Sequence, residues 1–274
     1  MPVHDDLGNR MKTYYEGIPQ TKLMRRTPVI IRIDGKAFHT FTKGFRKPFD
    51  EIMVKSMQET TKYLCENIQG CVFGYTQSDE ITLVLIDYQK LTTDAWFDYE
   101  VQKICSIAAS MATLAFNKFF QMFVDEYDCS PEANGVQVNW YIAALNKGAM
   151  FDARCFNIPK EEVTNCVYWR QLDATRNSIQ SVGQANFSHN ELHEKTCNMI
   201  QDMLHEQKGI NWNDYPTYLK RGTAVIKNRM VVEPYGTRML FPDKPEGHWC
   251  IDLDMPQLKG DDRRYLDELV MVGE

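Results

Sequence analysis

The chain has 274 residues, of which 43% are hydrophobic and 25% are charged, and its formal net charge is −6. This balance is typical of one large globular domain, or of a domain with an extension. The negative charge argues against a protein that coats RNA non-specifically, although it leaves room for a local basic groove. We find no apolar run of membrane-spanning length, no signal-peptide layout and no Cys-x-x-Cys among the eight cysteines. We therefore expect a cytoplasmic protein with reduced thiols and no membrane partner.

The first third of the chain is predicted to alternate strands and helices. In chain order we expect a short helix capped by Asp5 or Asp6 and ending near Glu16, a buried strand from Val29 to Ile33, a cationic loop over 42–48, a helix from Asp50 to Ile68 with Met53, Met57, Thr60, Leu64 and Ile68 on its core face, and two hairpin strands over 71–75 and 81–86.

The middle of the chain predicts a second helix and strand of the same core. We expect a long helix capped by Thr92 or Thr93 and running from Asp94 to about Phe123, a polar loop over 128–139, a strand over 150–156, and a helix from Glu161 to about Ile179. The resulting β-α-β-β-α-β order is the split-βαβ or ferredoxin-like pattern of an α+β fold. It buries one sheet face under two helices, so we expect the other face to be open to substrate.

The last third is predicted to form an extension with helices and strands. A helix is expected from Glu191 to His205, and strand-like runs with several cations occupy residues 219–232. We therefore divide the chain into a catalytic core with the N-terminal helix, residues 1–180, and an extension packed on it, residues 181–274.

Two acidic residues end apolar runs that are predicted to be strands. Asp34 follows the strand from Val29, and Asp79 lies at the tip of the hairpin. If the first strand pairs antiparallel with the strand starting near Ile81, the two carboxylates face each other. Converging carboxylates need a positive partner, and Mg²⁺ typically binds one or two carboxylates together with substrate phosphates. This pair therefore indicates a metal-dependent site for phosphate chemistry.

Each of these motifs also has a simpler interpretation. Asp34-Gly35 alone is compatible with a plain turn, and Ser78-Asp79-Glu80 with a solvated hairpin tip. The cationic loop is compatible with an ordinary surface loop, or with a lid that brings Arg46 or Lys47 to phosphates. The strand–acid–helix–strand–acid–acid–strand order favours the joint site.

Five ordered blocks resemble the motifs of the tRNA-His guanylyltransferase superfamily. They are Arg32-Ile-Asp-Gly-Lys-Ala-Phe-His39, Tyr75-Thr-Gln-Ser-Asp-Glu80, Phe151-Asp-Ala-Arg154, Tyr168-Trp-Arg-Gln171 and Lys220-Arg-Gly-Thr223. The resemblance extends from about residue 5 to about residue 228. It implies a polymerase-palm-like core that adds nucleotides to the 5′ end of RNA in the 3′–5′ direction, with ATP, GTP and other nucleoside triphosphates as substrates.

The resemblance also implies roles for single residues. Asp34 and Asp79, with the Gly35 carbonyl, would bind two Mg²⁺, and Glu80 would support this catalytic cluster. The triphosphate would be held by Asp34, Asp79, the backbone of Gly35, Lys36, Ala37, Phe38 and His39, the Ser78 hydroxyl and Lys47. Candidate RNA contacts in the later blocks are Arg154, Arg170, Asn177 and Arg221.

One block departs from the eukaryotic enzymes. Where they carry His-Ile-Asn-Asn-Leu-Tyr-Asn, linked to tRNA-His recognition, this chain has Thr175-Arg-Asn-Ser-Ile-Gln-Ser181. The departure is similar to the bacterial and archaeal guanylyltransferase-like proteins, which repair 5′ ends under a template and are often homotetramers. We therefore expect template-dependent addition to 5′-truncated tRNA. The alternatives are G addition specific to tRNA-His, a nucleotide cyclase, or an RNA-binding module without catalysis.

Overall fold

A six-stranded antiparallel sheet forms the centre of the protein in the computed structural model, which describes residues 6–233 and 236–273. The strands are β1 (Val29–Gly35), β2 (Cys71–Gln77), β3 (Glu80–Leu85), β4 (Phe151–Asn157), β5 (Thr223–Lys227), β6 (Met230–Glu233), β7 (Gly236–Met239) and β8 (Trp249–Asp252). The large sheet has the order β4-β1-β3-β2-β5-β8, and β6 pairs with β7 separately. The predicted α+β class is confirmed.

Ten α-helices accompany these strands in the described residues. They are α1 (Asp6–Met11), which continues as a π-helical turn (Lys12–Glu16), α2 (Phe38–Phe41), α3 (Glu51–Asn67), α4 (Val101–Asp128), α5 (Gly135–Lys147), α6 (Lys160–Asn186), α7 (His189–Leu192), α8 (Cys197–Lys208), α9 (Thr217–Arg221) and α10 (Arg264–Val270). Asp5, predicted as a cap of the first helix, lies outside the described residues.

The first face of the sheet is buried under α3 and α4. Ile31 and Ile33 of β1 point to this side and join the larger core cluster. Asp50 caps α3 by accepting a hydrogen bond from the Met53 amide, and the predicted stripe of α3 is buried along its whole length, from Met53 to Ile68. The prediction for this helix is therefore confirmed.

Helix α4 is long and apolar enough to cross a membrane by length and composition alone. The expectation that no segment reaches that length was therefore wrong. Its inner side, however, packs into the core: Ala108 and Ala112 allow a close approach, and Phe116 and Phe120 are fully buried in the aromatic cluster with Phe38. These contacts are those of a core helix.

The second face of the sheet is also covered, which corrects the expectation of an open face. Ile30, Phe73 and Val84 form a second core cluster with Val163 and Val167 of α6. Helix α10, which the sequence did not predict, adds Leu266 and Val270 to the same cluster. The described residues leave the β4 edge of this face open, where Asp152, Arg154 and Phe156 are exposed.

The start of α4 lies seven residues after the predicted one. Residues 96–99 form a 3₁₀ turn instead, in which Phe97 and Asp98 have positive φ angles. Lys22 and Arg25 bind the Asp98 carboxylate, and the Val101 amide donates to the Thr21 carbonyl. Contacts from the distant N-terminal connector therefore override the local helix signal.

Two further helix predictions differ from the structure. Residues 135–139 of the predicted polar loop over 128–139 belong to α5, because the Asn134 side chain caps that helix by accepting from the amides of Val136 and Gln137. The single helix predicted from Glu191 to His205 is instead the two helices α7 and α8, and Thr196 caps the second by accepting from the Met199 amide.

The boundary predicted at residue 180 falls inside α6, and β5 and β8 of the predicted extension continue the central sheet. The division into two parts stays a prediction. The site described below draws residues from both sides of that boundary.

Candidate active site

Two acidic strand ends meet in the structure, but in a register one residue from the predicted one. Strand β1 pairs antiparallel with β3, which places Asp34 directly opposite Glu80 rather than Asp79. Asp79 precedes Glu80 in the tight hairpin turn, and its carbonyl accepts a hydrogen bond of 3.1 Å from the Gly35 amide. On the other side of Asp34, β4 contributes Asp152. Directly opposed residues of paired strands share a face, so Asp152, Asp34 and Glu80 form an acidic row.

Burial and mutual repulsion weaken the ionisation of the two predicted ligands. Burial raises the pKa of the Asp34 carboxyl above its ordinary value, and the neighbouring Asp152 raises it further. Burial also raises the pKa of Asp79; the Ser78 hydroxyl, which donates to its Oδ1 at 3.0 Å, opposes the shift, and Asp34 adds to it. The site thus has an unmet demand for positive charge.

Glu80 has its positive partner within the protein. The Nε and Nη2 atoms of Arg170 donate to its two carboxylate oxygens at 2.8 and 2.7 Å, and Nη2 also donates to Asp173 at 2.7 Å. Glu80 and Arg170 are nearly buried, with exposed fractions of 9% and 8%. Burial lowers the pKa of Arg170, but Glu80 and Asp173 more than offset this and keep it above its ordinary value. Glu80 is thus neutralised, unlike Asp34 and Asp79.

A cavity of about 600 Å³ opens beside Asp79. It lies between α3, α6, α9 and the turns that follow β1 and β2. Of the residues predicted to bind a nucleotide, it is lined by Gly35, Ala37, Phe38, His39, Lys47, Ser78 and Asp79, whereas Asp34 and Lys36 lie outside the lining. Such a volume falls in the range of small-molecule sites.

The turn after β1 offers fewer free amides than predicted. The amides of Gly35 and Lys36 donate to the carbonyls of Asp79 and Met150, so they are not available to a phosphate. Within the described part of the chain, the amides of Ala37, Phe38 and His39 have no backbone acceptor. Ala37 has a φ of 55°, and this left-handed residue turns successive amides to one side. These three amides are the ones that suit an anion.

Close packing fixes this turn in place. A Cβ atom at Gly35 would lie 2.2 Å from the Phe38 ring, so a side chain cannot be placed there without moving that ring. The Phe38 ring itself is buried against Phe116 and Phe151, with centroid distances of 5.5 and 5.1 Å. Phe38 can therefore meet a nucleotide only through its backbone.

The cationic loop over 42–48 borders the cavity and is anchored at its end. The Arg46 amide donates to the Asp50 carboxylate at 3.0 Å, and the buried Tyr141 hydroxyl donates to the same oxygen at 2.7 Å. Lys47 is exposed and lines the cavity, whereas Lys43 is exposed and does not. The guanidinium of Arg46 lies over the Tyr127 ring at 4.6 Å. Arg46 lines the cavity as well, but its guanidinium is engaged by that ring, which leaves Lys47 as the cation of this loop best placed to meet a phosphate.

The four predicted RNA contacts lie in different settings. Asn177 lines the cavity, and Arg154 is exposed and donates to Asp152 at 3.0 Å. The Arg221 carbonyl accepts from the Tyr75 hydroxyl at 2.6 Å, while neighbouring Gly222 lines the cavity. Arg170 is nearly buried and its guanidinium is paired with Glu80, so it is the least accessible of the four, and its role as an RNA contact stays a prediction.

The inner end of the cavity is lined by residues that the sequence did not single out. Gln58 of α3 donates to the Thr223 hydroxyl at 2.9 Å, and both side chains are buried. Ser181 and Tyr218 line the same end. The one signal for Gln58 was a polar side chain beside the apolar stripe of a helix, and its partner lies 165 residues away.

The donor set suits a hard divalent cation. Asp34 and Asp79 are carboxylates with an unmet demand for positive charge, and Gly35 brings backbone to the same point. Among the described residues, no group of three or more His, Cys, Asp or Glu side chains could hold a metal alone. Mg²⁺ does not need one, because it usually takes one or two carboxylates and completes its shell with water and substrate phosphate.

A family model described as tRNAHis guanylyltransferase (Thg1) matches residues 8–159, which is more than half of the chain. The chain belongs to the tRNAHis guanylyltransferase family. The resemblance predicted from the five blocks is thereby confirmed. Members of this family are tRNA guanylyltransferases, so the chain is an enzyme of the nucleotidyltransferase class.

Similar proteins agree with this assignment. An uncharacterized protein of Acanthamoeba polyphaga mimivirus is 28% identical over 240 residues, which are 84% of this chain and 79% of that one. The tRNA(His) guanylyltransferase of Saccharomyces cerevisiae is 25% identical over 213 residues, which are 73% and 82% of the two chains.

Solved structures extend the match over nearly the whole chain. A bacterial tRNA(His) guanylyltransferase (Thg1)-like protein in complex with ATP is 40% identical, with a TM-score of 0.79, and the match covers 97% of this chain and all of that one. A second bacterial Thg1-like protein, in complex with GTP, is 37% identical with a TM-score of 0.74 and covers 98% and 100%. The Saccharomyces cerevisiae enzyme, at 21% identity and a TM-score of 0.61, shares the fold over 83% of this chain and 94% of that one.

Proposed function

We propose that this enzyme is a Mg²⁺-dependent, template-dependent 3′–5′ nucleotidyltransferase that restores the 5′ end of truncated tRNA. The observation that carries this proposal is the pair Asp34 and Asp79, of which Asp79 lines a nucleotide-sized cavity together with Gly35, the residue after Asp34. Within the described residues, neither carboxylate has an ion pair like the one between Glu80 and Arg170. The ATP and GTP complexes of the similar bacterial proteins support nucleoside triphosphates as substrates.

The proposed reaction joins an incoming nucleotide to the 5′ end of the RNA, and residues around the cavity hold the triphosphate. The 3′-hydroxyl of the incoming nucleotide attacks an activated 5′-phosphate of the RNA, which carries a triphosphate or an adenylyl group made from ATP. Pyrophosphate or AMP then leaves. The amides of Ala37, Phe38 and His39, the Ser78 hydroxyl and Lys47 hold the triphosphate and orient it. The core below them has the β-α-β-β-α-β order of the expected polymerase-palm fold.

Asp34 and Asp79 would hold two Mg²⁺, with the Gly35 carbonyl as a further ligand. Bound there, the ions supply charge stabilisation for the attacking and leaving oxygens of an in-line displacement. Burial and neighbouring carboxylates raise the pKa values of both carboxyls, and a bound cation would offset that repulsion. Glu80 would keep the row in register through Arg170.

Substrate choice follows from the residue at position 175. Thr175 stands where the eukaryotic family members carry histidine, and its hydroxyl donates to the Gln171 carbonyl of its own helix at 2.9 Å. It therefore presents no ring donor or cation to an anticodon. Pairing with the opposite acceptor strand would then position the base and the 3′-hydroxyl together.

A panel of labelled, 5′-truncated tRNAs tests the proposal. The tRNAs differ in anticodon and in the templating base, and each is incubated with each nucleoside triphosphate and Mg²⁺. We expect the complementary nucleotide to be added whatever the anticodon is. Addition that follows the histidine anticodon, or that inserts G against every template base, would make this a tRNA-His-specific guanylyltransferase. Release of cyclic nucleotide without RNA would make it a cyclase.

We also propose that the enzyme is a cytoplasmic homotetramer. The N-terminal region supports an oligomer, because α1 has no buried residue and Leu7, Tyr14, Tyr15 and Ile18 are exposed apolar side chains. Mass measurement in solution, with the N-terminal residues present or removed, checks the oligomeric state. A full-length protein that is a monomer would contradict it.

A further inference from the structure

Trp169 of α6 is the most exposed tryptophan in the described part of the chain, with 57% of its surface open to solvent. An exposed indole does not contribute the favourable free energy that its burial would give, so the exposure of Trp169 calls for a functional explanation. The fold does not bury it with a neighbouring helix. It lies at the border between α6 and the uncovered β4 edge of the sheet.

Two guanidinium groups hold the ring. The Cζ atom of Arg170 lies 4.5 Å from the ring centroid, and that of Arg32 lies 5.6 Å away. Arg170 is itself fixed by its two hydrogen bonds to Glu80. Cation–π contacts to a nearly buried arginine restrain the ring in one orientation. Trp169 is therefore a pre-oriented aromatic surface.

The surface around Trp169 leads to the acidic row. Arg32 lies two residues before Asp34 on the same face of β1, and β4 places Arg154 directly opposite Arg32. Phe156, two residues further on β4, is 37% exposed on this face as well. Basic groups interleaved with exposed aromatic rings are the pattern of single-stranded nucleic-acid sites.

We propose that Trp169 stacks on an unpaired base at the acceptor end of the RNA and so positions the reacting 5′ end at Asp34. This inference rests on the proposed function and names how the RNA is held. The cavity on the other side of Asp79 takes the nucleotide, so the carboxylates lie between the two substrates. Arg154 attracts the adjoining phosphate, as a rim cation does.

The charges favour RNA over a second protein copy as the occupant. Arg32 and Arg170 are held against Glu80, so the exposed cation beside the ring is Arg154, 64% of whose side chain is open to solvent while it pairs with Asp152. An apolar protein face would gain nothing from that guanidinium. RNA provides both complementary groups, a π-face for the indole and a phosphate for Arg154.

The test compares Trp169→Ala with Trp169→Phe in the full-length enzyme. With a 5′-truncated tRNA, Trp169→Ala should raise the KM for RNA by about 5- to 100-fold, the effect of losing one base–aromatic stack. The KM for the nucleoside triphosphate should not change, and Trp169→Phe, which keeps a ring, should recover part of the loss. Trp140→Ala removes the other half-exposed tryptophan, far from this surface on α5, and should leave the KM for RNA unchanged.

A binding measurement without nucleotide separates this inference from the proposed function. Stacking quenches indole fluorescence, so titration with truncated tRNA should quench wild type more than Trp169→Phe. If this quenching occurred in a protein that adds no nucleotide, the proposed nucleotidyltransferase function would be contradicted, but the stacking of Trp169 on RNA would still be supported. Nucleotide addition with equal quenching and an unchanged KM for RNA in Trp169→Ala would overturn the stacking. A changed oligomer mass with unaltered RNA binding in that variant would assign the ring to a protein interface and also overturn it.

Discussion

The ion pair between Glu80 and Arg170 predicts a large and specific loss of stability. Replacing Arg170 by methionine keeps the length and apolar stem of the side chain but removes its charge. Glu80 then remains nearly buried beneath α6 without the two hydrogen bonds that satisfied its carboxylate. Removing one partner of a buried pair leaves an uncompensated charge, which costs about 3–5 kcal/mol.

A second arginine near Glu80 places the expected loss of stability at the lower end of that range. Arg32 Nε lies 3.5 Å from Glu80 Oε1 and has no other hydrogen-bond partner, so it compensates part of the charge. We therefore expect Arg170→Met to lower the free energy of unfolding by about 3 kcal/mol. Adding Glu80→Gln removes the stranded charge, so the double variant should lose much less than the sum of the single losses.

Urea denaturation of the four proteins of this cycle measures the coupling. Arg176→Met is the matched control, because Arg176 lies on the same helix and binds Asp173 too, but 60% of its side chain is exposed. An exposed pair contributes only about 0–1 kcal/mol. If Arg170→Met were no less stable than Arg176→Met, the pair would not hold α6 to the acidic row, and our account of Glu80 would be wrong.

The other predictions concern the carboxylates, the loop and one glycine. Asp79→Asn should abolish nucleotide addition by removing a metal ligand. Because burial raises the folded pKa of Asp79, its stabilising contribution in the metal-free protein is present at low pH and is lost as pH rises through that pKa. At neutral pH this variant should therefore melt at a higher temperature than metal-free wild type and gain nothing from Mg²⁺, and a lower melting temperature would contradict the sign. Lys47→Ala should raise the KM for the nucleoside triphosphate more than Lys43→Ala, and equal small effects would make this an ordinary surface loop. Gly222→Ala should destabilise the protein by about 2 kcal/mol or more, since its Cβ would lie 2.7 Å from the Thr76 carbonyl oxygen at a φ of +86°. Gly209→Ala, also at positive φ but with open space around it, should cost about 1 kcal/mol. Equal losses of stability in the two variants would contradict the clash at Gly222.

Local sequence patterns were sufficient to predict the strand, the hairpin and the helix around Asp34 and Asp79. The apolar run before Asp34, the hairpin around Asp79 and the buried stripe of α3 are all short-range signals, and the structure has each of them. The antiparallel pairing of the first strand with the second hairpin strand was a condition of the prediction, and the structure has that pairing. The carboxylate pair could therefore be located from the sequence.

Features that depend on distant contacts could not be found in this way. The partner of Arg170 could not be predicted, because nothing in Tyr168-Trp-Arg-Gln171 shows that it is Glu80, 90 residues earlier. The delayed start of α4 depends on Lys22 and Arg25, which bind Asp98 from the N-terminal connector. The stretch 128–139 was predicted to be a polar loop, although its Asn134 is also a good helix cap.

The covering of the second sheet face by α6 has a consequence for where the protein can be divided. The family model ends at residue 159, one residue before α6 begins. A fragment ending there would expose Ile30, Phe73 and Val84 to water and would leave Glu80 without its arginine. During synthesis the acidic row likewise leaves the ribosome before its counter-charge. The family model can thus be matched without α6, but the sheet that it describes has an uncovered apolar face until α6 has been made.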